Sequence, residues 1–274
     1  MERLIPEGTT PAEVIEKLRS QLTPSKSGFS IGNRPSLEAA VESQAEACPK
    51  CQGTGYELLE RNDSRYHGEC VCWIQRDTQR RLKRIGPRDR WATIETLQPC
   101  ADQTKVFSSA ALQRQVISAL GSHPDGSFAF FGPSGVGKTT YLAALYRRAV
   151  ETQRRGCFYI QVGDLVRQLR DVECGRTESA YLDREVIREV VESRLRPRVF
   201  LDEFDKVTVT DFARNAVREL IDELYRLAGS DSPGAQLVLA TELDRDEFAQ
   251  VWGGNVLRRV EAVCEMFDFF AVRG

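Results

Sequence analysis

From residue 92 onward, short apolar runs alternate with stretches that are apolar on one face only. The runs are SFAFFG (127–132), CFYIQV (157–162), RVFLDE (198–203), QLVLAT (236–241) and CEMFDFF (264–270). Each has the length of a strand and no polar alternation, as strands buried on both faces require. The segments between them, such as TTYLAALYRRAV (139–150), carry apolar residues at helical spacing. This order predicts an α/β unit, a mostly parallel sheet with helices on both faces. Upstream the pattern changes. PAEVIEKLRSQL (11–22) predicts one helix, and TPSKSGFSIGNRPS (23–36) reads as a flexible Ser/Gly/Pro linker. WIQRDTQRRLKRIG (73–86) predicts an arginine-dense helix that stops at Gly86-Pro87. With no internal repeat, three regions result: 1–46, a helix and linker; 47–91, a cysteine-bearing module with its basic helix; and 92–274, the α/β domain.

At 274 residues, 28% of them charged and with a net charge of −2, the chain has room for one sizeable domain plus a small module. Its near-neutral balance confines any nucleic-acid surface to a local patch. MERLIPEGTTPAEVIEKL places charges where a signal peptide needs an apolar core, and no run has the length of a membrane span. The expectation is a cytoplasmic protein with no membrane partner. In such a reducing compartment, its eight cysteines point to metal rather than disulfides where they are paired.

Gly132-Pro133-Ser134-Gly135-Val136-Gly137-Lys138-Thr139 fits G-x-x-x-x-G-K-[ST], between an expected strand and an expected helix. Glycines let several backbone N–H groups converge on one phosphate, and the helix N-terminus adds positive potential there. Lys138 would reach the β- and γ-phosphates of ATP, Thr139 would bind Mg²⁺, and Thr140 completes the binding stretch. RVFLDE ends in Asp202 and Glu203, the first suited to holding Mg²⁺ and the second to polarising an attacking water. An acidic pair of this kind favours hydrolysis, and the absence of N-K-x-D disfavours guanine. QLVLAT brings Thr241, then Glu242, to the end of a strand expected between the other two; either a γ-phosphate sensor or plain strand termination accounts for it. Arg258 and Arg259 sit on a short late helix, as a solvated face or as an arginine finger toward a neighbouring subunit.

Cys48-x-x-Cys51 and Cys70-x-Cys72 supply four thiolates, enough for one closed tetrahedral Zn²⁺ site that would fold a module too small for its own core. The alternatives are one unit of the C-x-x-C-x-G-x-G chaperone repeat, a redox dithiol, or His67 in place of one thiolate. Cys100, Cys157, Cys174 and Cys264 are scattered and read as small core residues.

GPSGVGKT, VFLDE, a strand ending in ATE and a late L-R-R-V together resemble an AAA+ ATPase of the additional-strand class. More narrowly they are similar to the DnaC-type helicase loaders and the related IstB-type transposition helpers. The segment RLKRIGPRDRWATIETLQP, the CPKC…CVC cluster and the absence of room for a C-terminal helical lid after CEMFDFF point to that branch. The family usually has Asn where Glu242 stands, so Thr241 serves or the sensor is altered. The family's finger aligns with Arg259 rather than Arg258. The resemblance implies ATP hydrolysis controlling delivery of a hexameric, DnaB-type replicative helicase to single-stranded DNA. It further implies self-association through ATP-bridged interfaces, a helicase-gripping N-terminal module, and DNA-facing helices in 165–190 carrying Arg167, Arg170 and Arg176. The basic helix (Arg76, Arg80, Arg81, Lys83, Arg84) faces DNA, an acidic partner or solvent. The other functions in view are a transposase helper and an ATP-switched adaptor that scarcely hydrolyses.

Overall fold

The structure is a computed structural model that describes residues 48–61, 64–99, 110–153, 156–173, 197–228 and 235–270. The expected helix and linker of 1–46, Cys100, Cys174 and Arg176 lie outside the described residues. The described residues divide into two compact units, one up to Arg81 and the other from Leu82 onward.

In the smaller unit an antiparallel hairpin occupies the interval between the cysteine pairs. Its strands β1 (Tyr56–Arg61) and β2 (Ser64–Glu69) pair in a register running from Tyr56 opposite Glu69 to Arg61 opposite Ser64. The sequence pattern assigns no element to this interval. Its strand signal is weak because Tyr56 and Leu58 are exposed rather than buried. Gly68 is there for space, since a Cβ at that position would meet Leu59 Cδ1 at 2.4 Å.

Helix α1 (Val71–Leu82) follows at once, so Cys72 lies in its first turn. It ends at Leu82, short of the Gly86-Pro87 stop that the sequence suggested. In the turn that follows, the Arg90 guanidinium donates to the carbonyls of Leu82, Lys83 and Ile85, each at 3.2 Å. Carbonyls freed at a helix end need such partners, and a cation suits that end of the helix dipole. Arg147 in turn donates to the Arg90 carbonyl.

Among its described residues the larger unit is built on five parallel strands: β3 (Phe128–Phe131), β4 (Cys157–Gln161), β5 (Arg198–Asp202), β6 (Gln236–Thr241) and β7 (Glu265–Asp268). Their order across the sheet is β4-β5-β6-β3-β7, so β6 does lie between β5 and β3. Alternate residues of each strand feed two apolar clusters, one on each face, which is why the runs are continuously apolar. One face joins Phe128, Phe130, Tyr159, Phe200 and Val238 to the helices α2 (Ala110–Ser122) and α3 (Lys138–Thr152). The other joins Phe131, Ile160, Leu201 and Leu239 to α4 (Val162–Glu173), α5 (Asp211–Ala228), α6 (Arg245–Trp252) and α7 (Gly254–Val263). Within α5, buried Ala213, Ala216, Val217, Leu220, Ile221 and Leu224 keep the i, i+3, i+4, i+7 spacing of a one-sided helix. Cys157 and Cys264 are buried core residues as expected. No helix among the described residues is long and apolar enough to cross a membrane.

Replacing Arg90 with Ala strips three carbonyls of a charged donor. Urea denaturation of the Arg90→Ala chain is expected to show a loss of about 1–2 kcal/mol, with Lys recovering only part of it because an ammonium lacks the planar fork. An unchanged midpoint would show that the guanidinium does not hold this helix end.

Candidate functional site

The carboxyl ends of the strands open on a cleft of about 340 Å³. Between β3 and α3, residues Gly132–Gly137 form a loop that needs positive φ at Gly135 (86°) and Gly137 (97°), the left-handed region open to glycine at little cost. Gly132 is needed for close approach, because a Cβ there would lie 2.5 Å from Phe269 Cβ. Val136 is buried and anchors the loop from below, while Ser134, Gly135, Gly137, Lys138, Thr139 and Thr140 line the cleft.

Lys138 opens α3 and is only 7% exposed; its ammonium donates to the carbonyls of Gly132 (2.7 Å) and Pro133 (2.9 Å). Burial pushes its pKa down, opposed by the acidic residues around it, Glu242 foremost. Asp202, at the tip of β5, is 4% exposed. Its Oδ1 accepts from the Glu203 amide (2.9 Å) and, at 3.5 Å, from the Thr139 hydroxyl, while Oδ2 accepts from the Tyr159 hydroxyl (2.7 Å). Burial pushes this carboxyl above the usual range, and the Tyr159 and Glu203 donors pull the other way. Glu203 adopts the left-handed conformation (φ 61°), unusual for a non-glycine residue, and its carboxylate pairs with Lys206.

Thr241 is buried at the end of β6, its hydroxyl accepting from the Leu243 amide at 3.2 Å. Glu242 follows at the cleft wall, its amide bonded to Asp205 Oδ1 at 3.1 Å. One cleft thus gathers Lys138, Thr139, Thr140, Asp202, Glu203 and Thr241. Arg259 does not line it; on α7 it pairs with Asp222 of α5, and Arg258 pairs with Asn255.

Two contributors escaped sequence reading. Tyr159 reaches Asp202 across the β4–β5 register, where Gln161 pairs with Asp202. Asp89 accepts from Thr140 Oγ1 at 2.5 Å and, with Gly86 and Arg88, closes the cleft's near wall. Neither carries a local motif.

The second site lies in the smaller unit. The Sγ atoms of Cys48, Cys51, Cys70 and Cys72 all lie within 4.8 Å of one another, with Cys48 to Cys70 at 3.7 Å and Cys51 to Cys72 at 3.3 Å. These separations are too long for disulfides. They approach the roughly 3.8 Å edge of a tetrahedron with four Zn–S bonds of about 2.3 Å. The turn after Cys51 is shaped by Gln52, Gly53 and Gly55, all at positive φ, and Cys70 N donates to Gly55 O at 2.9 Å. The amides of Cys51 and Lys50 pull the Cys48 thiol down to about 6, whereas burial and the neighbouring thiols push the Cys70 thiol up to about 12. Arg76 Nη2 donates to Cys72 Sγ at 3.2 Å. His67 is exposed on β2 and is not part of the cluster. Elsewhere on the basic helix Arg80 and Arg81 pair with Asp77. On α4, Arg167 pairs with Asp164 and Arg170 reaches Thr210 Oγ1.

Residues 128–250 match the model of the ATPase family associated with various cellular activities (AAA). No curated protein matches the chain. Among solved structures it is similar to the DnaC helicase loader, with 19% identity and a TM-score of 0.49 over 67% of this chain and 99% of that one. It is similar also to DnaI (12%, TM-score 0.47, 65% and 90%) and to domain III of the Thermotoga maritima replication initiation protein DnaA (12%, 0.47, 66% and 67%).

Elemental analysis of the purified chain is expected to find about one zinc per molecule. Cys51→Ser should release it and leave nucleotide binding in the cleft intact. A wild-type preparation made without chelator that carries no metal would exclude the tetrahedral site.

Proposed function

We propose that this protein is an ATP-hydrolysing loader that grips a hexameric, DnaB-type replicative helicase and delivers it to single-stranded DNA. The observation that carries its ATP chemistry is the single cleft joining the glycine loop, Lys138, Thr139 and the Asp202-Glu203 pair. In this reading the loop amides and Lys138 take the phosphates of ATP, and Lys138 neutralises charge that the backbone alone leaves uncompensated. Thr139 and Asp202 would hold Mg²⁺, which supplies charge neutralisation at the phosphates when bound. Glu203 takes the proton of the attacking water, for which it must leave Lys206. Thr241 or Glu242 senses the γ-phosphate.

The loader role is supported by the ordered motifs shared with DnaC-type loaders and by the four-cysteine module ahead of the ATPase domain. The cysteine module is the feature that favours a loader over an IstB-type transposase helper. In the loader Zn²⁺ would be structural, keeping rigid the module that meets the helicase. A second reading, a nucleotide-switched adaptor with little turnover, draws on the Glu203–Lys206 pair and on Glu242 at the usual Asn position. Measuring ATP turnover with and without single-stranded DNA separates the two. Affinity capture from the native cell, read for a hexameric helicase against a transposase, tests the partner.

Lys138→Ala is expected to abolish tight ATP binding, whereas Glu203→Gln should bind ATP normally and stall hydrolysis. Unchanged turnover in Glu203→Gln would remove the assigned base.

Arg259 is proposed as the finger that one subunit lends to its neighbour's ATP, leaving its in-chain partner Asp222 to do so. Arg259→Ala should then bind ATP nearly as wild type does, while turnover drops on the order of 10³-fold, less if Arg258 substitutes. Mixing it with Lys138→Ala should restore hydrolysis, because some interfaces then combine an intact pocket with an intact finger. A mixture that stays inactive while wild type assembles and turns over would place the finger elsewhere.

A further inference from the structure

We propose that Tyr159 is a positioning residue that fixes the plane of the Asp202 carboxylate so that its Oδ1 edge faces Thr139 and the Mg²⁺ of bound ATP. This rests on the reading of the cleft as an Mg·ATP site.

A carboxylate turns easily about its terminal torsion, whose energy wells are broad and two-fold, so hydrogen bonds rather than rotamer preference set its plane. At Asp202 the donors are split between the two oxygens. Thr139 and the Glu203 amide address Oδ1, and the Tyr159 hydroxyl takes Oδ2 at 2.7 Å. The sheet register makes this reach possible. Tyr159 pairs with Phe200, and Asp202, two residues further along β5, projects to the same face. The tyrosine ring is itself held. Tyr146 of α3 meets it edge to face with centroids 5.3 Å apart, and meets Phe200 at the same distance. A helix that begins at the phosphate loop therefore braces the ring that orients the acidic strand end.

The chemistry of the donor matters as much as its place. A guanidinium or ammonium at this position would cancel the charge that Asp202 offers to a cation, whereas a phenol orients it and leaves it whole.

Tyr159→Phe removes the hydroxyl and keeps the ring. The test compares wild type, Tyr159→Phe, Asp202→Asn and the double variant in Mg²⁺ titrations of fluorescent-ATP binding and of turnover, with melting temperatures alongside. The expected result is a half-saturating Mg²⁺ concentration raised on the order of tenfold in Tyr159→Phe, the scale of losing one hydrogen bond to a charged group. ATP binding in EDTA should be unchanged, and the Phe substitution should have no added effect on the Mg²⁺ response in the Asp202→Asn background. An unshifted Mg²⁺ dependence in Tyr159→Phe overturns the proposal, as does an equal shift in both backgrounds, which would mean that the ring acts through packing. Lys138→Ala guards the premise. If wild type shows no Mg²⁺-dependent ATP binding and Lys138→Ala behaves identically, the cleft is not an ATP site and Tyr159 has no cation to serve.

Discussion

A buried carboxylate must be compensated by donors or it will take up a proton, and much of the larger unit is arranged around meeting that demand at Asp202. The residue ends an apolar strand in the interior of the sheet and is 4% exposed at the wall of the cleft. Its charge is supported from three directions: the next amide along the chain, the first turn of α3, and the hydroxyl of β4. Each supporter depends on something larger. The Thr139 contact requires β5 and the start of α3 to converge, which follows from β6 lying between β5 and β3. Tyr159 requires the β4–β5 register to be held to the residue, since a one-residue slip would turn it to the opposite face.

The smaller unit answers a different constraint. Between Cys48 and Arg81 the described residues carry few buried apolar side chains, chiefly Cys51 and Cys70 themselves, so the hairpin and α1 have little core to close on. A two-stranded hairpin is marginal by itself. Four thiols converge at one point there, and the glycine-rich turn after Cys51 lets the chain fold back around them. Arg76 lays its guanidinium on Cys72 from one turn later in the same helix, a contact that offsets negative charge in the cluster.

The parts of this architecture legible in the sequence are those encoded within a few residues. Five apolar runs became five strands, and the phosphate loop was readable because strand, glycines and lysine are contiguous. The cysteine cluster was readable because its spacing suits one ion. Contacts that join distant segments were not. Nothing in CFYIQV distinguishes Tyr159 from an ordinary core aromatic until β4 is laid beside β5. Arg90 reads as one more charge in a basic stretch until its guanidinium is seen collecting three carbonyls. The hairpin escaped because Tyr56 and Leu58 are exposed, so its pattern lacks the buried face on which strand recognition depends.

Asp202 and Glu203 show how adjacent residues of like charge acquire different properties from their surroundings. Asp202 is enclosed and bonded through both oxygens, so its position is set by the fold and its charge is available only along the edge near Thr139. Glu203 follows the strand end in a left-handed turn, and its carboxylate pairs with Lys206, whose side chain is exposed. The first arrangement resists movement. The second permits it: exchanging Lys206 for a water breaks one exposed ion pair, an interaction worth only about 0–1 kcal/mol. Reversing the order of the two residues would place the long, mobile chain in the enclosed position and the short one where reach is needed. Two adjacent residues of like charge thus sit in surroundings that differ in enclosure and in the donors that hold them.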